Sequence, residues 1–378
     1  MPTFFKKHSM KKIAAAAALA ALAVPSFAQS SVTLYGVADM FYQYANSANS
    51  LSRVQSGGLA GSRFGMRGSE DLGGGLRANF TLEGGVNVDD GTSGQGGAMF
   101  GRQASVGLSG GFGSFSLGRQ TTALYASTND HSLFTSAGSG PSTALIGGFG
   151  GGYELVRGAS ATAAPPQAGA TGNGGPARLN NSIKYESPSL AGFKLGAVYG
   201  MGEVAGASGD NRVMEASVRY TGHGFDVLGS YLTDEARGGI GVNSTDARIG
   251  TLSGAYNFAP FRVVAGYIHF DDKRVTDLDG EGAWVGVDYQ TGKTTWKAQY
   301  VMNSPKNLNN ADSKAFGVGV VYDLSKRTAL YSSLTRFSND ANAGAGGLGR
   351  FNAALPAGLT SAVDNDITEF AVGIRHTF

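Results

Sequence analysis

An all-β fold, a 16-stranded antiparallel transmembrane β-barrel, is predicted for this 378-residue chain by three features. Apolar and polar side chains alternate in segments of roughly 9–11 residues, the length of a tilted membrane strand. Aromatic residues gather at segment ends, and the connections alternate between short and long. Gly (60) and Pro (10) suit many closely spaced strands and turns without reaching a disordered composition. There is no cysteine, so disulfides and thiolate chemistry are excluded.

Residues 1–28 read as a cleaved signal peptide, with Lys6, Lys7, Lys11 and Lys12, an apolar run from Ile13 to Val24, and Ser26-Phe27-Ala28 as the cleavage site. The same signal works from Met10. Its removal leaves 26 basic against 28 acidic side chains, so the precursor's formal +2 does not point to nucleic acid. Beyond it no segment approaches the ~20 apolar residues of a membrane helix, which leaves a barrel over 29–378 as the membrane-spanning form.

The first strand, SVTLYGVADMFYQY, sets Val32, Leu34, Ala38, Met40 and Tyr42 against Thr33, Tyr35 and Asp39. In the hairpin GSRFGMRGSEDLGGGLRANFTLEGG (61–85), Phe64, Met66, Phe80 and Leu82 alternate with Arg63, Arg67, Thr81 and Glu83. Six further hairpins repeat the plan: QASVGLSGGFGSFSLGRQ, NNSIKYESPSLAGFKLGAVYG, MEASVRYTGHGFDVLGSYL, GTLSGAYNFAPFRVVAGYIHF, WVGVDYQTGKTTWKAQYVM and FGVGVVYDLSKRTALYSSLTRF. ITEFAVGIRHTF closes the count at 16. The longest connection, 121–177 between the fifth and sixth strands, includes a Gly-, Ala- and Pro-rich tract; a segment this long is usually functional or disordered.

A soluble sandwich would bury bulky apolar residues on the oily parity. Here that parity carries many Ala and Gly, while Tyr185, Tyr256, Tyr289, Trp296, Tyr300 and Tyr322 sit at strand ends, as in the aromatic girdles of a bilayer. In hydrocarbon every backbone polar group must be bonded internally, so the sheet closes and the charged parity becomes the lumen. Sixteen strands enclose water rather than a packed core.

Several segments together resemble the general trimeric porins of the Gram-negative outer membrane, particularly the β-proteobacterial type: SVTLYG, SRFGMRGSEDLGGGLRANFTLEGG, FGRQASVGLSG, GSFSLGRQ, NNSIKY, YDLSKRTALY and the terminal GIRHTF. The resemblance spans nearly the whole mature chain. It implies a homotrimer in outer-membrane lipid and a third loop (121–177) folded into the lumen; no cofactor is expected, since no nucleotide or metal motif is complete. It also implies an arginine cluster on the wall opposite that loop, which by motif position is Arg63, Arg102 and Arg178, with Arg67 and Arg119 nearby and Glu83 as the acidic member. For Phe378 it implies recognition by the outer-membrane assembly machinery; alternation alone places that ring against lipid. Arg102 and Arg119 share parity with Val106 and Leu117, so either a bulge resets the alternation or both lie beyond the membrane band.

On the lumen parity stand nine bases (Arg63, Arg67, Arg77, Lys184, Lys194, Arg219, Arg262, Lys297, Arg375) and six acids (Asp39, Glu83, Glu215, Asp226, Asp288, Glu369). The loop adds Asp130 and Glu154 against Arg157. A positive pore concentrates anions, so the expected function is passive diffusion of small hydrophilic solutes and ions with an anion preference. Wall charges that merely solvate the lumen, or a substrate-specific channel, are the alternatives; Tyr35, Phe41 and Trp284 are too scattered on the lumen parity to signal a sugar path. A barrel hydrolase would need a base such as His269 beside Asp271 and Asp272, or Asp130-His131. His269 falls on the lipid parity and no nucleophile motif accompanies either pair, so an enzyme is not expected. No zinc or calcium spacing is complete.

Overall fold

The computed structural model describes residues 31–134, 139–141, 177–202, 212–236, 245–272, 278–306, 309–341 and 366–378. Residues 1–28, expected to be a signal peptide, and Glu154 and Arg157 lie outside the described residues. In chain order the strands are β1 (Ser31–Asn46), β2 (Ser50–Ser56), β3 (Arg63–Gly73), β4 (Leu76–Gly85), β5 (Gln103–Gly110), β6 (Gly113–Thr121), β7 (Arg178–Glu186) and β8 (Phe193–Gly200). They continue as β9 (Val213–Gly222), β10 (Phe225–Ala236), β11 (Thr245–Phe258), β12 (Phe261–Asp272), β13 (Leu278–Thr291), β14 (Thr294–Pro305), β15 (Ser313–Asp323), β16 (Thr328–Asn339) and β17 (Ile367–Thr377). One helix, α1 (Ala123–Asp130), follows β6.

From β3 onward each strand pairs antiparallel with the next in the chain, and β1 pairs with β17 from Val37↔Thr377 to Asn46↔Thr368, so the sheet closes. β2 and β3 both pair with β1, β2 along its second half and β3 along its first, and act as one barrel strand interrupted at residues 57–62. Seventeen segments therefore make a barrel of 16 strands. The sequence pattern does not reveal β2, because SLSRVQS has a single bulky apolar residue on its outward parity, Val54.

Tight turns join the strands at one rim, where the start of β1 (Ser31) and the end of β17 (Thr377) also lie. The β9–β10 connection is the two-residue turn His223-Gly224, both at positive φ (53° and 83°), the conformation a type I′ hairpin requires. Around this rim Phe225, Tyr256, Phe258, Phe261 and Tyr289 form a chain of ring contacts with centroids 4.3–5.6 Å apart. Rings of this kind sit well at a lipid headgroup boundary, where one edge is apolar and the other wet.

The alternation is visible residue by residue. Along β16, Leu330 and Leu334 are exposed on the outer face while Ala329, Tyr331, Ser333, Thr335 and Phe337 are buried inside. The inner wall is not uniformly polar, however. Leu232, Ile249, Ile268, Trp284 and Val301 are buried on the lumen parity and cluster with Leu124 of α1. The physical reason is the loop: where α1 lies on β9, β10 and β11, the wall beneath it is an interior between two packed layers rather than a water-lined surface.

Phe378 closes the ring. Its backbone exchanges two 3.1 Å hydrogen bonds with Gly36, and its phenyl ring lies over Gly36 on the outer face. A Cβ at Gly36 would stand 2.3 Å from the ring's Cζ and 2.8 Å from the Arg63 carbonyl. Gly36→Leu should therefore lift the ring and destabilise barrel closure by about 1–3 kcal/mol, the usual cost of overpacking. The measurement is the fraction of chain that stays folded on an unboiled gel after mild heating; an unchanged melting step would show that the ring does not need this seat.

Candidate pore constriction

The loop after β6 is fixed to the inner wall by side chains that the strands point inward. Thr122 caps α1, its hydroxyl accepting from the Tyr125 amide at 3.2 Å. Glu215 of β9 completes the cap: its carboxylate accepts from the amides of Ala123 (2.7 Å) and Leu124 (2.6 Å), where the helix dipole favours negative charge. Farther along, Ser127 bonds Thr251, His131 Nδ1 bonds the Ser253 hydroxyl at 2.7 Å, and the Trp284 indole donates to the His131 carbonyl at 2.6 Å. Gln299 accepts from the Leu133 amide, and Glu369 accepts from the Gly140 amide. Residues 122–134 and 139–141 thus meet the wall at points from β9 to β17, and the Gly-, Ala- and Pro-rich tract of the 121–177 connection lies outside the described residues. Wall glycines make room for it: a Cβ at Gly286 would meet Leu133, at Gly319 Phe134, and at Gly317 Pro141.

A second inward segment comes from the break between β2 and β3. The Asp39 carboxylate of β1 accepts from the amides of Gly58, Leu59 and Ala60 at 2.7–3.1 Å and from the Tyr331 hydroxyl at 2.5 Å. The two inward segments touch, since the Ser139 hydroxyl donates to the Gly58 carbonyl. The break ends on Arg63, whose guanidinium donates to the Gly61 carbonyl at 2.9 Å.

Arg63, Arg102, Arg178 and Glu83 are brought together. Arg102 Nε lies 2.6 Å from Glu83 Oε1, and Arg63 Nε lies 3.7 Å from Oε2. The Tyr35 hydroxyl donates to Glu83 Oε2 at 3.0 Å. That last bond passes over β3, and Gly65, registered between Tyr35 and Glu83, is what lets it: a Cβ there would stand 2.8 Å from the phenol. Arg178 donates to the Arg102 carbonyl at 3.1 Å and stacks 4.7 Å over the Tyr125 ring of α1. Arg67 lies 5.1 Å over Tyr35. One carboxylate thus serves a group of three closely associated guanidiniums facing the start of α1.

The two residues of doubtful parity resolve differently. Arg102 precedes β5, at the junction where its amide donates to the Glu83 carbonyl, so strand alternation does not govern it. Arg119 sits at a β-bulge between Gly118 and Gln120 in the β6–β7 ladder. It does not join the Glu83 group but donates to the Gly101 carbonyl (2.7 Å) and to Asn180 Oδ1 (2.5 Å), bracing the turn that carries Arg102. Asp130 also stands apart, at the other end of α1. It pairs with Arg219 at 2.9 Å and its carbonyl accepts from Arg262 at 2.6 Å. Arg219 also holds Asp226, which lies 3.6 Å from His131.

The six acids that alternation places on the lumen parity are all engaged; Asp323, at the short-turn end of β15, also faces inward. Asp39, Glu215 and Glu369 hold backbone amides of the inward segments; Glu83, Asp226 and Asp288 face Arg102, Arg219 and Lys297. Among the described residues, Arg67, Arg77, Lys194, Arg262 and Arg375 form no ion pair, so positive charge is left over along the wall. Sequence pattern does not disclose the anchoring roles of Asp39, Glu215 and Trp284, nor the stacking of Tyr125. The one available signal is the helix start in TTALYASTND, a Thr before a helix-forming run.

The profile of the Gram-negative porin family matches residues 15–342. The chain is 34% identical to outer membrane porin protein 32 of Delftia acidovorans over 98% of its own length and all of that protein's. It is 31% identical to an outer membrane porin protein of Bordetella pertussis, covering 85% of this chain and 92% of the other. Among solved structures, an anion-selective porin from Comamonas acidovorans superposes with a TM-score of 0.75 at 30% identity, covering 93% of this chain and 100% of that one. The family profile covers most of the chain, the relatives are outer membrane porins matched over nearly their whole length, and the barrel superposes on a solved porin, so the chain belongs to the Gram-negative porin family of the outer membrane.

Proposed function

We propose that this porin is an anion-preferring diffusion channel whose narrow part is formed by Arg63, Arg102, Arg178 and Glu83 facing Tyr125 of α1, with Arg67 lining the approach and Arg119 bracing it. The observation that carries the reading is the engagement of the lumen acids. Asp39, Glu83, Glu215, Asp226, Asp288 and Glu369 are each used as a loop anchor or a counter-ion, while several bases keep their charge available to the pore. Water-enclosed cations between low-dielectric walls raise the local concentration of anions and oppose cations. The likeness to an anion-selective porin supports the same sign.

Zero-current potentials across a planar bilayer in a KCl gradient test it. Chloride should permeate more readily than potassium, and the preference should shrink as salt rises toward 1 M, where the screening length falls to about 3 Å. A potential of the cation sign would overturn the reading. Asp130 belongs in this proposal as a partner of Arg219 at the far end of α1, not as a member of the Glu83 group.

A homotrimer and recognition of Phe378 by the assembly machinery are parts of the same proposal, resting on family likeness. The exposed ring over Gly36 offers the second a surface. Of the two pairs a hydrolase would draw on, His269 is half exposed on the outer face, 3.8 Å from Asp279 and near the Tyr267–Glu281–Lys306 chain at the long-loop rim, while His131 is buried between the Ser253 hydroxyl and Asp226.

A further inference from the structure

A second group of cations lies apart from the Arg63–Arg102–Arg178 cluster, on the lumen wall toward the short-turn rim. Arg262 of β12, Lys297 of β14 and Arg375 of β17 converge on a cavity of about 420 Å³, which also has Asp288, Asp323 and Leu59 in its lining. Register explains part of this. Arg262 stands opposite Asp288, and Asp288 opposite Lys297, so the three form a row across adjacent strands. Asp288 is used by Lys297 at 3.2 Å. Arg262 donates to the Asp130 carbonyl of the loop, which ties the cavity to the inward segment. Arg375 Nε is buried and has no hydrogen-bond partner.

Chloride does not need such a place. Three cationic donor groups, set around a space large enough for a small organic ion, match an acceptor with several oxygens and more than one negative charge. Leu59, delivered by the break between β2 and β3, gives the cavity an apolar side that a carbon skeleton can cover. We propose that Arg262, Lys297 and Arg375 form a binding subsite for multivalent oxyanions, polycarboxylates or condensed phosphates, on the short-turn side of the constriction. Anions crossing the pore would pause there, so the subsite acts as a second selectivity element in series with the arginine cluster. This inference rests on the anion-preferring reading, and its test separates the two.

The experiment is block of chloride current through the purified full-length porin in planar bilayers, with citrate or pyrophosphate added to each side in turn. Wild type should show saturable block by at least one of them, and the stronger arm identifies the chemistry of the ligand. In the double variant Lys297→Gln/Arg375→Gln the half-blocking concentration should rise by about tenfold, as expected for losing two nearby charges. Asp323→Asn removes a negative charge from the same cavity and should lower it. Lys306→Gln, a charge loss at the opposite rim, should leave block as in wild type.

If the double variant folds, conducts chloride and is blocked as wild type is, or if Asp323→Asn weakens block, the subsite is wrong. The zero-current potential of the wild type reports separately on the anion preference. Retained anion selectivity with unaltered block would overturn this inference alone, while a cation-sign potential would overturn the reading beneath it.

Discussion

Replacing Arg63 and Arg102 together by glutamine is expected to cut the chloride-over-potassium permeability ratio by about tenfold at 0.1 M salt, where a charge ~7 Å from the ion's path still contributes about 1 kcal/mol at an effective dielectric near 40. The effect should exceed the sum of the single changes' simple charge loss, because Glu83 would then keep its negative charge with only the Tyr35 hydroxyl on it. Adding Glu83→Gln to the double variant should restore part of the ratio, and Glu83→Gln alone should raise the anion preference above wild type. Zero-current potentials read all four proteins on one scale. If the double variant keeps the wild-type ratio, the narrow part of the pore lies elsewhere.

Release of the loop is expected to give the second large effect. Glu215→Ala removes both acceptors from the start of α1, where hydrogen bonds to a charged group are worth about 1.5–3 kcal/mol each, so the helix should lose about 3–6 kcal/mol of its hold on the wall. Single-channel records should show a larger and noisier conductance, since α1 would no longer press on Arg178 through Tyr125. Trp284→Phe, which loses one donor to the His131 carbonyl, should shift conductance in the same direction by less. Gly286→Val is a second route to the same state, because its Cβ would stand 2.7 Å from Leu133. A quiet, wild-type conductance in Glu215→Ala would mean that the remaining anchors suffice.

These two effects come from features of different visibility. Arg63 and Glu83 are legible in the chain because each lies on the polar parity of a strongly alternating hairpin. Arg102 and Arg119 are not, because alternation fails where a strand begins and where a bulge inserts a residue. Asp39 and Glu215 look like ordinary lumen acids, yet each faces backbone amides from a segment distant in sequence, 19–21 residues away for Asp39 and 91–92 for Glu215. Nothing local to either residue encodes that partner.

By itself the sequence determined the closed barrel, its 16 strands, the inward and outward parities and the excess of base over acid on the lumen side. Period-2 alternation is a short-range property that the backbone enforces wherever a strand forms. Only the tertiary structure decided which lumen charges remain available to ions. That depends on where two loops fold inward, which carboxylates they use, and which wall glycines leave them room, and those contacts exist only once the sheet has closed on itself.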